Sequence, residues 1–449
     1  MASNPAMQGL ILPRTSWLEQ AYVVLTFLVS AGGLNGLFIG NATESLNDSN
    51  SLRLGVALAL YLIAAGLLLQ RHAPRLVALT ARQWGLALLL LYILASCIWS
   101  TETVPTFRRS MAFCLSTVFC AYVVLEYDLR RIIRLIAVAT FIFACISLLN
   151  LASNPGELIS DDARKYGAWT NGITGLTFFG RVMAISTLVF WFAKNDHGPW
   201  RLFGWFGFLL SFFMLIKIQA ATATIAVIVT LGAIIGLEIV RRYRFSLSTF
   251  LIIGLAISLP LLGVFIFAAD VFFEAIGRDP TLTNRTRIWS VATTFAMEHH
   301  PWLGSGFRAF WTDSHSALVR FLIYGSRHTD YGNGHSGYVD IWLELGVPGA
   351  VGVALILITA LWRGFYLLLY HPDDHVVFFP AFMIFILIYN FPEKVFLEHT
   401  DIASMTFLVV ILKMAWLCAL RDDSTRVAVG GGTRLPYQLV TKAYEIAQR

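Results

Sequence analysis

The sequence predicts an all-α polytopic membrane protein of about twelve transmembrane helices, with one long polar loop on the outer face. Three observations predict it. Of 449 residues 57% are apolar, and the mean hydropathy is +0.68. Only 13% are charged, about half the share found in soluble globular proteins. The apolar residues also fall in runs that meet the requirement of about 20 residues per bilayer crossing. A soluble chain of this length would form several domains, and 33 basic plus 27 acidic side chains are too few to cover their surfaces. A soluble enzyme, a nucleic-acid binder and a secreted disulfide scaffold are excluded on that ground.

Taken in order, the runs begin near Ala21, Leu54, Trp84, Met111, Ile132, Ile173, Leu202, Thr222, Leu247, Val339, Val376 and Ile402. The Leu202 and Thr222 runs nearly touch at IKIQAATAT, which predicts a tight hairpin. The opening MASNPAMQGLILPRTSW lacks the basic, apolar and small-residue order of a cleavable signal peptide. Cys97, Cys114, Cys120, Cys145 and Cys418 lie in apolar runs without ligand spacing and read as small hydrophobes.

Lysine and arginine set the orientation. With the N-terminus cytoplasmic and the spans alternating, the cytoplasmic segments collect 18 basic residues and the short outer loops 7. Both termini then face the cytoplasm. The division that follows is transmembrane helices in residues 1–270, a periplasmic catalytic loop in 271–337, further helices in 338–420 and a cytoplasmic tail in 421–449. The long loop carries six arginines, and long loops are exempt from the positive-inside rule. Within it, Thr283 or Asn284 would cap a helix with Ile288, Val291, Ala292 and Phe295 on one face, ending at Pro301. Such a helix would lie on the membrane surface, with Trp289 at the interface.

The residues suited to chemistry concentrate in NRTRIWSVATTFAMEHHPWLGSGFRAFW and GNGHSGYVDIWLELGVPG. Guanidinium groups stay charged and bind phosphate oxygens in pairs, so outer-face arginines suit a lipid diphosphate. Arg285 heads the candidate helix, and Arg308 follows in the same loop. Anionic lipid headgroups are the alternative partner of such arginines. His335 sits in a Gly-rich turn, where a neutral imidazole would accept a proton from a sugar hydroxyl. Gly337 and Tyr338 follow it, then Asp340 and Glu344 on the next helical turns. Arg181 interrupts an apolar run, and a charge inside the membrane is usually paired or water-facing. Arg108 and Arg109 stand at the outer end of a span, and Lys217 ends another. His299 with His300, and His371 with His375, read as solvated loop residues rather than metal ligands. No Asp-x-Asp pair, Walker A loop or Ser-His-Asp set is recognisable.

At these residues the chain resembles the O-antigen ligase and exopolysaccharide polymerase superfamily, the Wzy, WaaL and ExoQ-type proteins, and the ExoQ-type polymerases best. The resemblance runs from about Trp99 to Gly349. It includes Trp99-Ser100 with Arg108-Arg109, Arg285-Thr286 with Trp289, and Pro301-Trp302-Leu303-Gly304-Ser305-Gly306-Phe307 with Trp311. It also includes His335-Ser336-Gly337-Tyr338-Val339-Asp340 with Glu344-Leu345-Gly346. The resemblance implies a type C glycosyltransferase fold at the outer face of a bacterial inner membrane, needing no metal or other cofactor. Its partners would be an undecaprenyl-diphosphate-linked oligosaccharide, membrane lipids and a chain-length regulator of the same pathway, with no nucleic acid. Arg285 would bind the donor diphosphate, and His335 would sit at the acceptor hydroxyl. Ser336 stands where the family often has Asn, and Ala220-Ala221 where it often has Ser and a basic residue. Thr177-Phe178 occupies the place of a Lys-Asn pair common in polymerases. Lys217 or Arg181 would then supply the basic group.

The expected activity is polymerisation of lipid-linked repeats by inverting glycosyl transfer. The second reading is a ligase that moves glycan to lipid A core, and the third a transporter or flippase of the same lipid-linked sugar. The third is disfavoured by the lack of the repeated halves common in transporters.

Overall fold

Without water to satisfy the backbone, apolar runs in a membrane must close their hydrogen bonds internally, and here they do so as helices. The computed structural model describes residues 16–35, 51–159, 167–243, 285–311, 321 and 334–430. Among these the β-structure is limited to an isolated bridge between Ile159 and Trp169. The helices are α1 (Trp17–Ser30), α2 (Ser51–Arg82), α3 (Trp84–Ala95), α4 (Thr103–Glu126), α5 (Leu129–Ser153) and α6 (Leu176–Ala193). They continue as α7 (Pro199–Ile218), α8 (Ala221–Tyr243), α9 (Arg285–His299), α10 (Gly337–Tyr370), α11 (Phe378–Tyr389) and α12 (Ile402–Gly430).

Eight of these, α2, α4, α5, α6, α7, α8, α10 and α12, are long and apolar enough to cross a membrane. Three predicted runs form shorter apolar helices: Trp17–Ser30, Trp84–Ile98 and Asp374–Tyr389. At 1.5 Å per residue Trp84–Ile98 reaches about 22 Å, short of a hydrocarbon core of roughly 30 Å. The run from Leu247 lies outside the described residues. The hairpin at IKIQAATAT is present: Gln219, in the left-handed region at φ 57°, and Ala220 alone separate α7 from α8. Ser16 caps α1 through Glu19 N, and Asp128 caps α5 through Arg131 N.

Polar side chains sort the helix ends into two groups. At one end Arg71 pairs with Glu19 at 2.8 Å, and His72 meets Glu126 at 2.5 Å. There Asp196 gathers Arg134 and His375, while Arg241 bonds the carbonyls of Pro372 and Asp373. His375 is thus buried between Asp196 and Asp373. This corrects the expectation of a solvated loop residue: its loop folds back against the end of the bundle. His299 is exposed and stacks on Phe295. The opposite end gathers Ser100, Arg109, Arg181, α9, the turn at 301–311, the start of α10 and the segment 390–401. Loops assigned to one side by the alternation of spans therefore meet one another. In the middle, α6 and α12 are enclosed along most of their length, whereas α7 turns Leu202, Phe206, Leu209 and Ile216 outward.

Candidate functional site

The site is built around a break in a helix. Gly346 leaves the helical region at φ 62°, and two residues later Pro348 has no N–H to donate. A break of this kind strands carbonyls, and each is closed from elsewhere. Leu343 O accepts from Ser305 N at 3.1 Å, and Glu344 O, the natural partner of Pro348, accepts from Gly306 N at 2.9 Å. Leu345 O accepts from the Tyr92 hydroxyl, and Val347 N donates to Trp302 O. The Gly-Ser-Gly of the 301–311 turn is what lets its backbone come this close. A Cβ on Gly306, at φ 100°, would lie 2.5 Å from the Ser100 side chain. The turn also aims Arg308, itself left-handed at φ 56°.

The second wall is Asn390–Asp401, a largely buried non-helical stretch between α11 and α12. Irregular backbone at such a place is tolerated where protein satisfies it. Asn390 Oδ1 accepts from Val395 N and Phe396 N, and Asp401 Oδ1 caps α12 through Ala403 N and Ser404 N. Gly337 N donates to Asn390 O at 3.0 Å, docking the start of α10 on this segment. A side chain at Gly337 would overlap Asn390.

Most of the sequence-predicted residues converge here, and Arg285, Arg308 and Arg181 each pair with a carboxylate. Arg285 Nη2 bonds Glu393 Oε1 at 2.8 Å, and Arg308 Nη1 bonds Glu398 Oε2 at 2.8 Å. Arg308 also reaches His399 Nδ1 at 3.0 Å, and its carbonyl accepts from Arg109 Nη1 at 2.7 Å. Arg181 pairs with Asp401 beneath the rings of Phe178 and Tyr389. Lys394 Nζ lies 2.5 Å from Glu344 Oε1. Burial works against the charge on Lys394, but Glu344, Asp340 and Glu398 outweigh it and hold the ammonium above the usual lysine range.

His335 is positioned from both sides. Asp340 accepts from Gly334 N at 2.9 Å and from Trp311 Nε1 at 2.9 Å, so it holds the turn. Trp289 Nε1 donates to Gly334 O at 2.8 Å, and its ring meets Phe391 edge-on. That indole, expected at a membrane interface, is thus engaged in protein contacts that pin α9 to the turn. Tyr338 bonds Leu387 O. His335 itself sits at φ 52°, a conformation that costs a non-glycine residue about 1–3 kcal/mol and clusters at functional sites. Burial pushes its imidazole below the usual histidine range, the Glu393 carboxylate opposes that, and the Arg285 cation reinforces it. The imidazole is therefore held toward its neutral form.

Two predicted residues stand apart. Arg108 is exposed on α4, and the exposed Lys217 has its ammonium over Trp169 and Phe213. The residues that the sequence reading missed are Glu393, Glu398, His399 and Asp401, with Lys394 read only as an orienting charge. A signal existed: FPEKVFLEHTD places five ionisable groups between two apolar runs. Topology reading counts lysine and arginine and gives the acids little weight.

Fold and site together define a polytopic helical membrane protein whose charged, protein-lined site lies at one end of the bundle. The family described as O-antigen ligase matches residues 206–354, which run from α7 to α10 and include Arg285, Arg308 and His335. The exopolysaccharide production protein ExoQ of Rhizobium meliloti (strain 1021) is 23% identical over 298 residues, covering 64% of this chain and 67% of that protein. Over these stretches the chain is similar to the O-antigen ligase family and to ExoQ.

Proposed function

We propose that this protein polymerises lipid-linked oligosaccharide repeats in exopolysaccharide or O-antigen synthesis, as an inverting glycosyltransferase of the type C fold class. The observation that carries the reading is the Arg285–Glu393 pair with His335 within reach of both charges, inside a cluster that also holds Arg109, Arg181 and Arg308. A sugar hydroxyl of one repeat attacks the anomeric carbon of the growing chain from the face opposite the diphosphate. Its oxygen bonds that carbon while the bond to the diphosphate oxygen breaks, and the electron pair leaves on the undecaprenyl diphosphate. His335 takes the hydroxyl proton. Arg285 stabilises the charge that develops on the leaving group, as preorganised cations do, so arginines rather than a divalent ion serve the diphosphate.

The positive-inside bias supports an inner-membrane topology of twelve spans with both termini cytoplasmic and residues 271–337 periplasmic, which puts the site on the face where the donor is presented. The named relative, an exopolysaccharide production protein, favours polymerisation over transfer to lipid A core. The test is a strain lacking the gene, assayed for extracellular glycan and lipid-linked intermediates. Accumulated single repeats without polymer support a polymerase. Long chains still on carrier lipid and missing from lipid A would make it a ligase. Unchanged pools, with no parallel enzyme present, would overturn the glycan reading.

A further inference from the structure

We propose that Glu393 is a counter-ion that the donor diphosphate displaces from Arg285, and that the released carboxylate then positions His335 for proton transfer. The inference rests on the diphosphate reading of Arg285 and adds a residue to it. In the structure Arg285 holds one carboxylate oxygen through one nitrogen, a geometry that a diphosphate, with several oxygens and more charge, improves on. Among the described residues Arg181, Arg285, Arg308 and Lys394 are each paired with a carboxylate, Asp401, Glu393, Glu398 and Glu344 in turn. An anion that reaches Arg285 therefore competes with the carboxylate already on it.

Glu393 is the one placed to do so. Arg308 is held twice, by Glu398 and His399, and Lys394 is clasped by Glu344. Arg181 is closed by Asp401, which is itself committed to capping α12. The side chain of Glu393 has no such structural duty, since its tie to α10 runs through its backbone carbonyl and Gly337 N. Once Arg285 turns to phosphate, the remaining cation near Glu393, Arg181, already has its acid. The group left within reach of its charge is His335, two residues before the Gly337 whose N–H bonds Glu393 O, and Glu393 and Arg285 bias its charge state in opposite directions. Exchange at one arginine thus couples donor arrival to the readiness of the base. A carboxylate beside a histidine holds its tautomer and orientation and stabilises the imidazolium that forms as the acceptor proton arrives. Glu393 acts through His335 and touches no reacting atom.

The test uses the purified full-length protein in lipid nanodiscs. It measures farnesyl diphosphate binding by calorimetry and turnover of a lipid-linked oligosaccharide. Glu393→Gln removes the competing charge, so farnesyl diphosphate should bind about tenfold tighter, equivalent to about 1.4 kcal/mol. The same variant should turn over at least about tenfold more slowly at saturating donor, the opposite sign from its binding. Glu393→Asp should recover turnover in part. A merely structural glutamate would weaken both together, and that result, or unchanged values for both, overturns the proposal. If Glu393→Gln fails to fold, Glu393→Ala, which also removes the competing charge, decides: tighter binding with reduced turnover supports exchange, and any other pattern refutes it. Arg285→Ala separates the two levels. Wild-type affinity in that variant defeats the diphosphate reading itself, whereas lost affinity together with an unresponsive Glu393→Gln defeats only this inference.

Discussion

Replacing Lys394 by Met should destabilise the site end of the protein more than any loss of packing would. The ammonium is buried, 2.5 Å from Glu344 and 3.6 Å from Glu398. Methionine fills nearly the same volume, so the change isolates the charge. It leaves Glu344 buried beside the break in α10 without its counter-ion, and removing one partner of a buried pair costs about 3–5 kcal/mol. The pair holds the lysine's folded pKa above its unfolded value. The stabilisation is therefore complete at neutral pH and is lost only as pH rises through that elevated value. The assay is thermal unfolding of purified protein in detergent at pH 7.5, followed by light scattering and tryptophan fluorescence. A fall in midpoint of about 5 °C or more is expected, given about 2–4 °C per kcal/mol for large domains. Adding Glu344→Gln should restore more than half of the loss, because the coupling belongs to the pair. An unchanged midpoint in Lys394→Met, or an additive double variant, would refute the reasoning.

Three more outcomes follow from the same geometry. Gly337→Ala drives a Cβ into Asn390, so polymer should be lost while membrane protein level stays within about twofold of wild type; normal polymer on a glycan gel would count against the docking of α10 on 390–401. Trp289→Phe keeps the ring on Phe391 but deletes the bond to Gly334 O; turnover should drop several-fold by roughly the worth of one buried hydrogen bond, about 1 kcal/mol, with unfolding little changed. Because burial pulls His335 below the usual histidine range in the donor-free protein, kcat/KM should hold as pH falls through about 6.5 and decline only below it; a midpoint of kcat/KM at or above about 7 would exclude His335 as the neutral acceptor.

Much of the bundle was legible because membrane solvation is severe. An apolar run of sufficient length has few fates other than a helix, and the runs from Leu54, Ile132, Thr222 and Ile402 became one each. The shortness of α3 and α11 was not legible, since hydropathy says nothing about where protein, rather than lipid, encloses a chain. Arg285, Arg308 and His335 drew attention in the sequence as candidates that the fold brings to one end of the bundle, and Arg181 stood out as a charge in an apolar run. Their partners were not. Asp401 lies 220 residues from Arg181, and Glu393 lies 108 from Arg285. No local pattern encodes a pairing across such separations. The motif glycines had the converse fate. Gly304, Gly306 and Gly346 read as a signature, and their physical task, mending a broken helix with a foreign turn, emerged only from the hydrogen bonds.

The most direct measurement is reconstitution of purified wild-type and Arg285→Ala protein in liposomes with an undecaprenyl-diphosphate-linked repeat unit, following glycan length and released lipid diphosphate over time. The wild type should build polymer and release one lipid diphosphate per bond formed, while Arg285→Ala, equally folded by its unfolding midpoint, should leave the repeats single. Full polymer from Arg285→Ala would contradict the assignment of this arginine to the leaving group.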